Sequence, residues 1–126
     1  MIVADDQPAF REAAQEVIAE TPGLELVAVS DRVRGLPGLV DETAADVLLL
    51  DVRMPGEDTL EMAATLRRNR PRLTVVLISA DSVLDIPDEV FALGIGFLAK
   101  EELTPASLAR TLQPPRAEND AGAPDE

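Results

Sequence analysis

An α/β fold built from five βα units is what this sequence predicts, on three observations. Short apolar runs at residues 1–4, 24–29, 47–50, 75–78 and 97–99 are separated by segments that carry helical periodicity or helix-start signals. Alternation of strand and helix gives a parallel sheet with helices on both faces. Four of the five runs also end on polar residues, namely Asp5 and Asp6, Asp51, Ser79, and Lys100. In a parallel sheet those carboxyl ends lie along one edge, where open α/β sheets build their sites. A chain of 126 residues is one domain by length and long enough to bury most of its apolar surface.

Residues 1–5 read as a buried strand. It is shorter than the five or six residues of an ordinary central strand, so its start is expected a few residues upstream. Phe10, Ala13, Ala14, Val17 and Ile18 fall at i, i+3, i+4, i+7 and i+8, which predicts a helix from Pro8 to Glu20 with Pro8 in its first turn. Thr21-Pro22-Gly23 stops it, and a second strand is expected over Leu24 to Val29. The second helix lies within Arg32 to Glu42 with Leu36, Leu39 and Val40 inward, and Gly35, Pro37 and Gly38 make it short or irregular.

Val47 to Asp51 is an apolar strand ending in a carboxylate, followed by the turn Met54-Pro55-Gly56 and a helix over Thr59 to Asn69. Leu60, Ala63, Ala64 and Arg67 mark the inward stripe of that helix and its margin. Thr74 to Ser79 is the fourth strand and Gly96 to Ala99 the fifth. Between them Pro87 disfavours helix at Ile86, which shortens the fourth helix to about Pro87 to Leu93. The last helix has Thr104 as N-cap and Pro105 at its first position, with Leu108 and Leu112 inward. Residues 114–126 hold nothing to bury and read as a disordered linker or tail.

Composition narrows the chemistry. The chain has no Cys and no His, which removes disulfides, thiolates, the usual neutral-pH acid/base and the usual zinc ligand. Oxygen ligands remain, and they suit Mg²⁺, Ca²⁺ or Mn²⁺. A formal charge of −13, with no Trp or Tyr and three Phe, argues against nucleic acid as a direct partner and for a protein. No apolar run approaches the roughly 18 residues of a membrane span, and the start lacks a basic segment ahead of an apolar one. A cytoplasmic location is the expectation.

The strand-end residues form a coherent set. Taken singly, each has a bland reading: an Asp at a strand end caps or turns, and a Lys followed by Glu101-Glu102 is solvated surface. Their coincidence does not. Asp5, Asp6 and Asp51 would bring three negative charges together, and like charges that close hold either a proton or a cation. Mg²⁺, bound by one or two carboxylates with waters and phosphate oxygens completing its shell, fits best. Lys100 would neutralise remaining charge and contact a phosphoryl oxygen, and the Ser79 hydroxyl could bond another.

On these residues the chain resembles the receiver domains of bacterial two-component response regulators, over residues 1 to about 112, with the domain itself expected over 1–113. Asp5-Asp6 is similar to that family's acidic pair, and Leu48-Leu49-Leu50-Asp51-Val52-Arg53-Met54-Pro55-Gly56 to its phosphoacceptor strand and turn. Ser79-Ala80 resembles its switch hydroxyl, and Gly96-Phe97-Leu98-Ala99-Lys100 its lysine strand. The separations agree as well: 45 residues from Asp6 to Asp51, 28 more to Ser79 and 21 more to Lys100. The opening Asp5-Asp6-Gln7-Pro8-Ala9-Phe10-Arg11 looks like the NarL/LuxR type, and Glu101 stands where many receivers have Pro, so the cis peptide bond expected there has no proline to form on.

The resemblance implies a flavodoxin-like (CheY-like) sheet of order 2-1-3-4-5 and a phosphorylation switch. Asp51 would take a phosphoryl group from a sensor histidine kinase, with Mg²⁺ held by Asp6, Asp51 and the backbone carbonyl of Arg53, and with Asp5 acting mainly through water. Lys100 and Ser79 would grip the phosphoryl oxygens, and Phe97 would change rotamer as Ser79 moves. Arg53 and Asp81 would border the site and govern the access of water. The partners implied are the kinase, a second copy in a homodimer, and a C-terminal helix-turn-helix DNA-binding domain outside residues 1–126, with transcription as the output.

Three features bear on that implication. Thr59 stands where the family usually has Gly, which implies a different local backbone. The reduced fourth helix lies in the part of the fold that normally carries the output signal. A pseudo-receiver, acting as an interaction module without phosphorylation, is therefore the alternative from a different class. A haloacid-dehalogenase-type phosphatase is the enzyme alternative, and it requires a second Asp where this chain has Arg53.

Overall fold

The computed structural model describes residues 1–80 and 86–112. Five parallel strands, β1 (Ile2–Ala4), β2 (Ala28–Ser30), β3 (Val47–Asp51), β4 (Thr74–Ser79) and β5 (Gly96–Ala99), form one sheet of order β2-β1-β3-β4-β5. This is the doubly wound flavodoxin-like order, whose switch point falls between β1 and β3. Five helices connect and flank them: α1 (Pro8–Ala19), α2 (Leu36–Thr43), α3 (Thr59–Asn69), α4 (Asp88–Ala92) and α5 (Pro105–Leu112).

Alternation along the strands divides the core in two. Ile2, Ala4, Leu48, Leu50, Val75 and Leu77 point to one face and pack with Leu36 and Val40 of α2, Ala63 and Leu66 of α3 and Val90 of α4. Val3, Leu49, Val76, Ile78 and Leu98 point to the other and pack with Ala14 and Ile18 of α1 and Leu108 of α5. Both faces are buried, so the central strands read as unbroken apolar runs.

Four strands stand where the sequence puts them, and β2 differs. The run Leu24 to Val29 predicts a longer strand, yet the ladder covers only Ala28 to Ser30. Its partner is β1, whose three residues pair Ile2 with Ala28 and Ala4 with Ser30. Before that point the chain is tied only by the Val27 amide to the Met1 carbonyl at 2.9 Å and the Met1 ammonium to the Glu25 carbonyl at 2.9 Å. Leu24 and Leu26 still pack on the α1 face, whereas Val27 and Val29 are exposed.

The helices follow the same logic. The buried stripe of α1 runs through Ala14 and Ile18, flanked by Phe10 and Val17, and Ala13 falls on the exposed side, contrary to its place in the predicted stripe. One residue is about 100° of helix, and the stripe is narrower than the five positions assigned to it. α2 starts at Leu36 because Gly35 adopts a left-handed conformation (φ 89°) just before it. On α3 the fully buried Leu66 joins the predicted Ala63 and Ala64. α4 is a five-residue helix with Pro87 as its N-cap, as short as Pro87 requires. Val83, Leu84 and the predicted tail 114–126 lie outside the described residues.

α5 begins on a reciprocal cap. Thr104 Oγ1 accepts from the Ser107 amide at 3.0 Å, and Ser107 Oγ accepts from the Thr104 amide at 2.9 Å while donating to the Glu102 carbonyl at 2.6 Å. This ties α5 to the turn that follows Lys100. Ser107→Ala leaves the Thr104 amide and the Glu102 carbonyl without these partners, and is expected to cost about 1–2 kcal/mol in urea unfolding. An unchanged unfolding midpoint would show that the cap contributes nothing.

Candidate functional site

The carboxyl edge of the sheet gathers the residues singled out in the sequence. Asp5 follows β1 directly, and its amide donates to the Ser30 carbonyl at 3.0 Å, continuing the pairing with β2. Asp5 Oδ1 accepts from the Gln7 amide at 2.8 Å, an Asx turn that launches α1. The Arg11 guanidinium, one helical turn further on, donates to the Asp5 carbonyl at 2.7 Å. Asp51 is the last residue of β3 and lies in register with Ile78; the next amide, of Val52, donates to the Ile78 carbonyl at 2.9 Å. Asp51 Oδ1 accepts from the Arg53 amide at 3.2 Å.

β1 and β3 are hydrogen-bonded neighbours, so these two ends lie side by side. One carboxylate oxygen from each of Asp5, Asp6 and Asp51 falls within 4.8 Å of the others. Asp5 and Asp51 are buried and Asp6 is exposed. Ser79, at the end of β4, is buried, and Ala99, its register partner on β5, precedes Lys100. The Lys100 ammonium lies 2.6 Å from Asp5 Oδ2 and 3.5 Å from Asp51 Oδ2. An open cleft of about 380 Å³, lined by Gln7, Asp51, Arg53, Ala80 and Lys100, leads to Asp51 from solvent. Phe97 lies further from this edge, half-buried against the α2–α4 face. Asp81 lies outside the described residues.

Three carboxylates and one ammonium leave the cluster with an excess of negative charge when all are ionised. At a separation near 5 Å and an effective dielectric of about 20, each like pair costs about 3 kcal/mol. Amide bonds to the Asp5 and Asp51 carboxylates and the Lys100 ammonium at 2.6 and 3.5 Å offset part of this, and a bound cation would relieve the rest. Burial is the chief cause that pushes the Asp51 carboxyl above its ordinary value near 3.8; the Arg53 amide opposes this, the Asp5 charge adds to it and Lys100 opposes it. Asp5 Oδ2 is buried without a hydrogen-bond partner among the described residues and faces only the ammonium contact. An all-oxygen donor set gathered from three carboxylates suits a hard divalent cation such as Mg²⁺.

Two neighbours were not singled out as site residues from the sequence. Gln7 Oε1 accepts from the Lys100 ammonium at 3.3 Å, and the ammonium stands 4.6 Å from the centroid of the Phe10 ring. The available signal was their position, directly after the acidic pair and one turn later, but Phe10 also satisfies the core stripe and so drew no separate notice. Thr59, in the place of a family glycine, is the first residue of α3; it is buried, and its hydroxyl donates to the Val52 carbonyl.

Comparison with known proteins agrees with this geometry. The family model for the response regulator receiver domain matches residues 1–113. The chain is 33% identical over 102 residues to the glycerol metabolism activator of Pseudomonas putida, covering 79% of this chain and 46% of that protein. It is also 33% identical over 102 residues to the transcriptional regulatory protein NarL of Mycobacterium tuberculosis, covering 80% of this chain and 47% of the relative. It thus spans about half the length of the curated relatives it matches. The solved signal receiver domain of NarL from Mycobacterium tuberculosis superposes with a TM-score of 0.73 at 30% identity, covering 95% of this chain and 92% of that one. Asp5, Asp51, Ser79 and Lys100 converge on one sheet edge in a chain that belongs to the response regulator receiver domain family.

Proposed function

We propose that this receiver domain is a phosphorylation switch in which Asp51 accepts a phosphoryl group from a phosphohistidine of a sensor histidine kinase. The observation that carries this reading is the placement of Asp51 at the foot of an open cleft, with Asp5 and Asp6 within 4.8 Å and the Lys100 ammonium at 3.5 Å. A carboxylate oxygen of Asp51 attacks phosphorus in line, and the P–N bond to the imidazole breaks. The electron pair stays on the imidazole nitrogen, which takes a proton from solvent. Lys100 balances the charge that builds on the phosphoryl oxygens, and Ser79 binds one of them once its hydroxyl turns toward the cleft.

Asp6, Asp51 and the Arg53 carbonyl are the residues that would hold Mg²⁺, with Asp5 acting through a water. The metal supplies charge neutralisation for the carboxylates and the incoming phosphoryl group. Phe97 is the aromatic that responds when Ser79 moves, and Arg53 at the cleft rim restricts water. The receiver occupies residues 1–113, with 114–126 a linker or tail. The resemblance to NarL-type regulators supports a cytoplasmic protein whose output is transcription, through a homodimer and a helix-turn-helix domain beyond this segment. No helix among the described residues is long and apolar enough to cross a membrane.

Incubation with acetyl phosphate and Mg²⁺ is expected to add one phosphoryl group by intact mass, lost in Asp51→Asn and lost with EDTA. Failure of every donor, including the cognate kinase, would leave the pseudo-receiver as the better description. A second expectation concerns stability. Because the folded-state pKa of Asp51 is raised, the folded chain holds a proton that the unfolded chain has released between about pH 3.8 and that raised value. Stability therefore falls as pH rises through the window, and above it the ionised Asp51 is a standing cost. Without divalent metal, Asp51→Asn should melt a few degrees higher than wild type at pH 7. The gap should close by about pH 3, below the unfolded-state value near 3.8, where Asp51 is protonated in both states. A variant that melts at or below wild type at pH 7 would contradict the assignment.

A further inference from the structure

Lys100 is the only lysine in the chain, and among the described residues Asp5, Gln7 and Phe10, from the segment between β1 and the first turn of α1, stand against its ammonium, with Asp51 beside them. Asp5 Oδ2 lies 2.6 Å from the ammonium, Gln7 Oε1 3.3 Å, Asp51 Oδ2 3.5 Å and the Phe10 ring centroid 4.6 Å. The Lys100 side chain is 10% exposed. The ammonium is thus caged from the α1 side and open toward Asp51.

The cage is preorganised. The Gln7 backbone is fixed at both ends, its amide donating to Asp5 Oδ1 and its carbonyl accepting from the Phe10 and Arg11 amides, each at 3.1 Å, which sets the point from which the side chain reaches Lys100. Phe10 is partly buried against the α1 core face, which anchors its ring beside the ammonium. A carboxylate would hold a lysine more strongly than either group, but it would add charge to a cluster already in excess. An amide oxygen and a ring face attract the cation without doing so.

We infer that Gln7 and Phe10 are positioning residues for Lys100: amide and ring hold the ammonium at the mouth of the acidic cluster and set its reach toward Asp51. This deepens the phosphoryl-transfer reading for its consequence at Asp51, while the cage itself is independent of that reading. The presence of a single lysine makes the cage measurable. An amine-acetylating ester finds Lys100 as the single lysine of residues 1–126, and labelling is read as the fraction of the Lys100 peptide modified in one spectrum.

In the full chain, without metal or phosphodonor, Gln7→Ala and Phe10→Leu are each expected to raise Lys100 labelling about two- to fivefold, the weight of one such contact. Phe10→Tyr, which keeps the ring, should label as wild type does. Unchanged labelling in Gln7→Ala and Phe10→Leu overturns the cage. Equal increases in Phe10→Leu and Phe10→Tyr overturn the part given to the ring, leaving Phe10 as packing alone. Should circular dichroism show Phe10→Leu unfolded, the exposed Gln7 decides, since its side chain belongs to neither core cluster. With acetyl phosphate and Mg²⁺, adduct formation should slow severalfold in Gln7→Ala and Phe10→Leu and recover in Phe10→Tyr. Wild-type adduct rates in variants whose labelling has risen overturn the positioning role. A wild type that forms no adduct refutes the phosphoryl-transfer reading alone, because the labelling result still judges the cage.

Discussion

Parallel pairing of β1 with β3 places the Asp5 and Asp51 carboxylates beside one another in a buried setting, and much of the rest follows from that enforced proximity. The pairing is held by apolar burial: Ile2, Val3 and Ala4 on one strand, and Leu48, Leu49 and Leu50 on the next, are fully buried. Each fully buried Leu or Ile contributes about 2–3 kcal/mol relative to exposure. The sheet therefore has ample driving force to hold two carboxylates where they repel. It does so at its edge, where the cleft admits solvent and ions and the opposing Lys100 can approach.

The same two-sided burial decides which helix serves the site. α1 and α5 lie on one face, and both feed the lysine: α1 through Gln7 and Phe10 at its start, α5 through the Thr104–Ser107 cap that fixes the turn after Lys100. α2, α3 and α4 lie on the other face, and α3 starts from the turn that follows Asp51. Lys100 and Asp51 are thereby anchored to opposite layers of the fold. They meet only across the sheet edge.

How much of this the sequence disclosed depended on the kind of interaction. β3 and β4 were legible because buried central strands need unbroken apolar runs, and Val47 to Leu50 or Val75 to Ile78 admits little else at that length. β2 was not, because the extent of an edge strand depends on its neighbour, and β1 offers three residues. The reactive side chains were legible because strand ends are aligned by topology alone. Which carboxylate Lys100 leans on, Asp5 at 2.6 Å or Asp51 at 3.5 Å, was not, since it depends on the path of a long side chain past Gln7 and Phe10. Periodicity places Cα atoms, and a four-carbon stem moves its charge several ångströms from there.

The turn after Asp51 shows how a departure from family pattern can be absorbed. A glycine at position 59 would leave the Val52 carbonyl without a side-chain donor from that residue; Thr59 supplies a hydroxyl to it from the first turn of α3. Six residues past Asp51, Glu57 Oε1 accepts from the Val33 and Arg34 amides at 2.6 and 3.1 Å, stitching the turn to the loop before α2. Gly56, at φ 79°, makes the intervening bend. Bonds to a charged carboxylate contribute roughly 1.5–3 kcal/mol each when shielded and less where solvent reaches them. The turn is thus braced at Val52 and at Glu57, on either side of Arg53, whose amide binds Asp51. The different backbone that Thr59 implies is a helix start pinned by its own hydroxyl. It leaves the Asp51 carboxylate fixed by the Arg53 amide on one oxygen and facing Lys100 on the other.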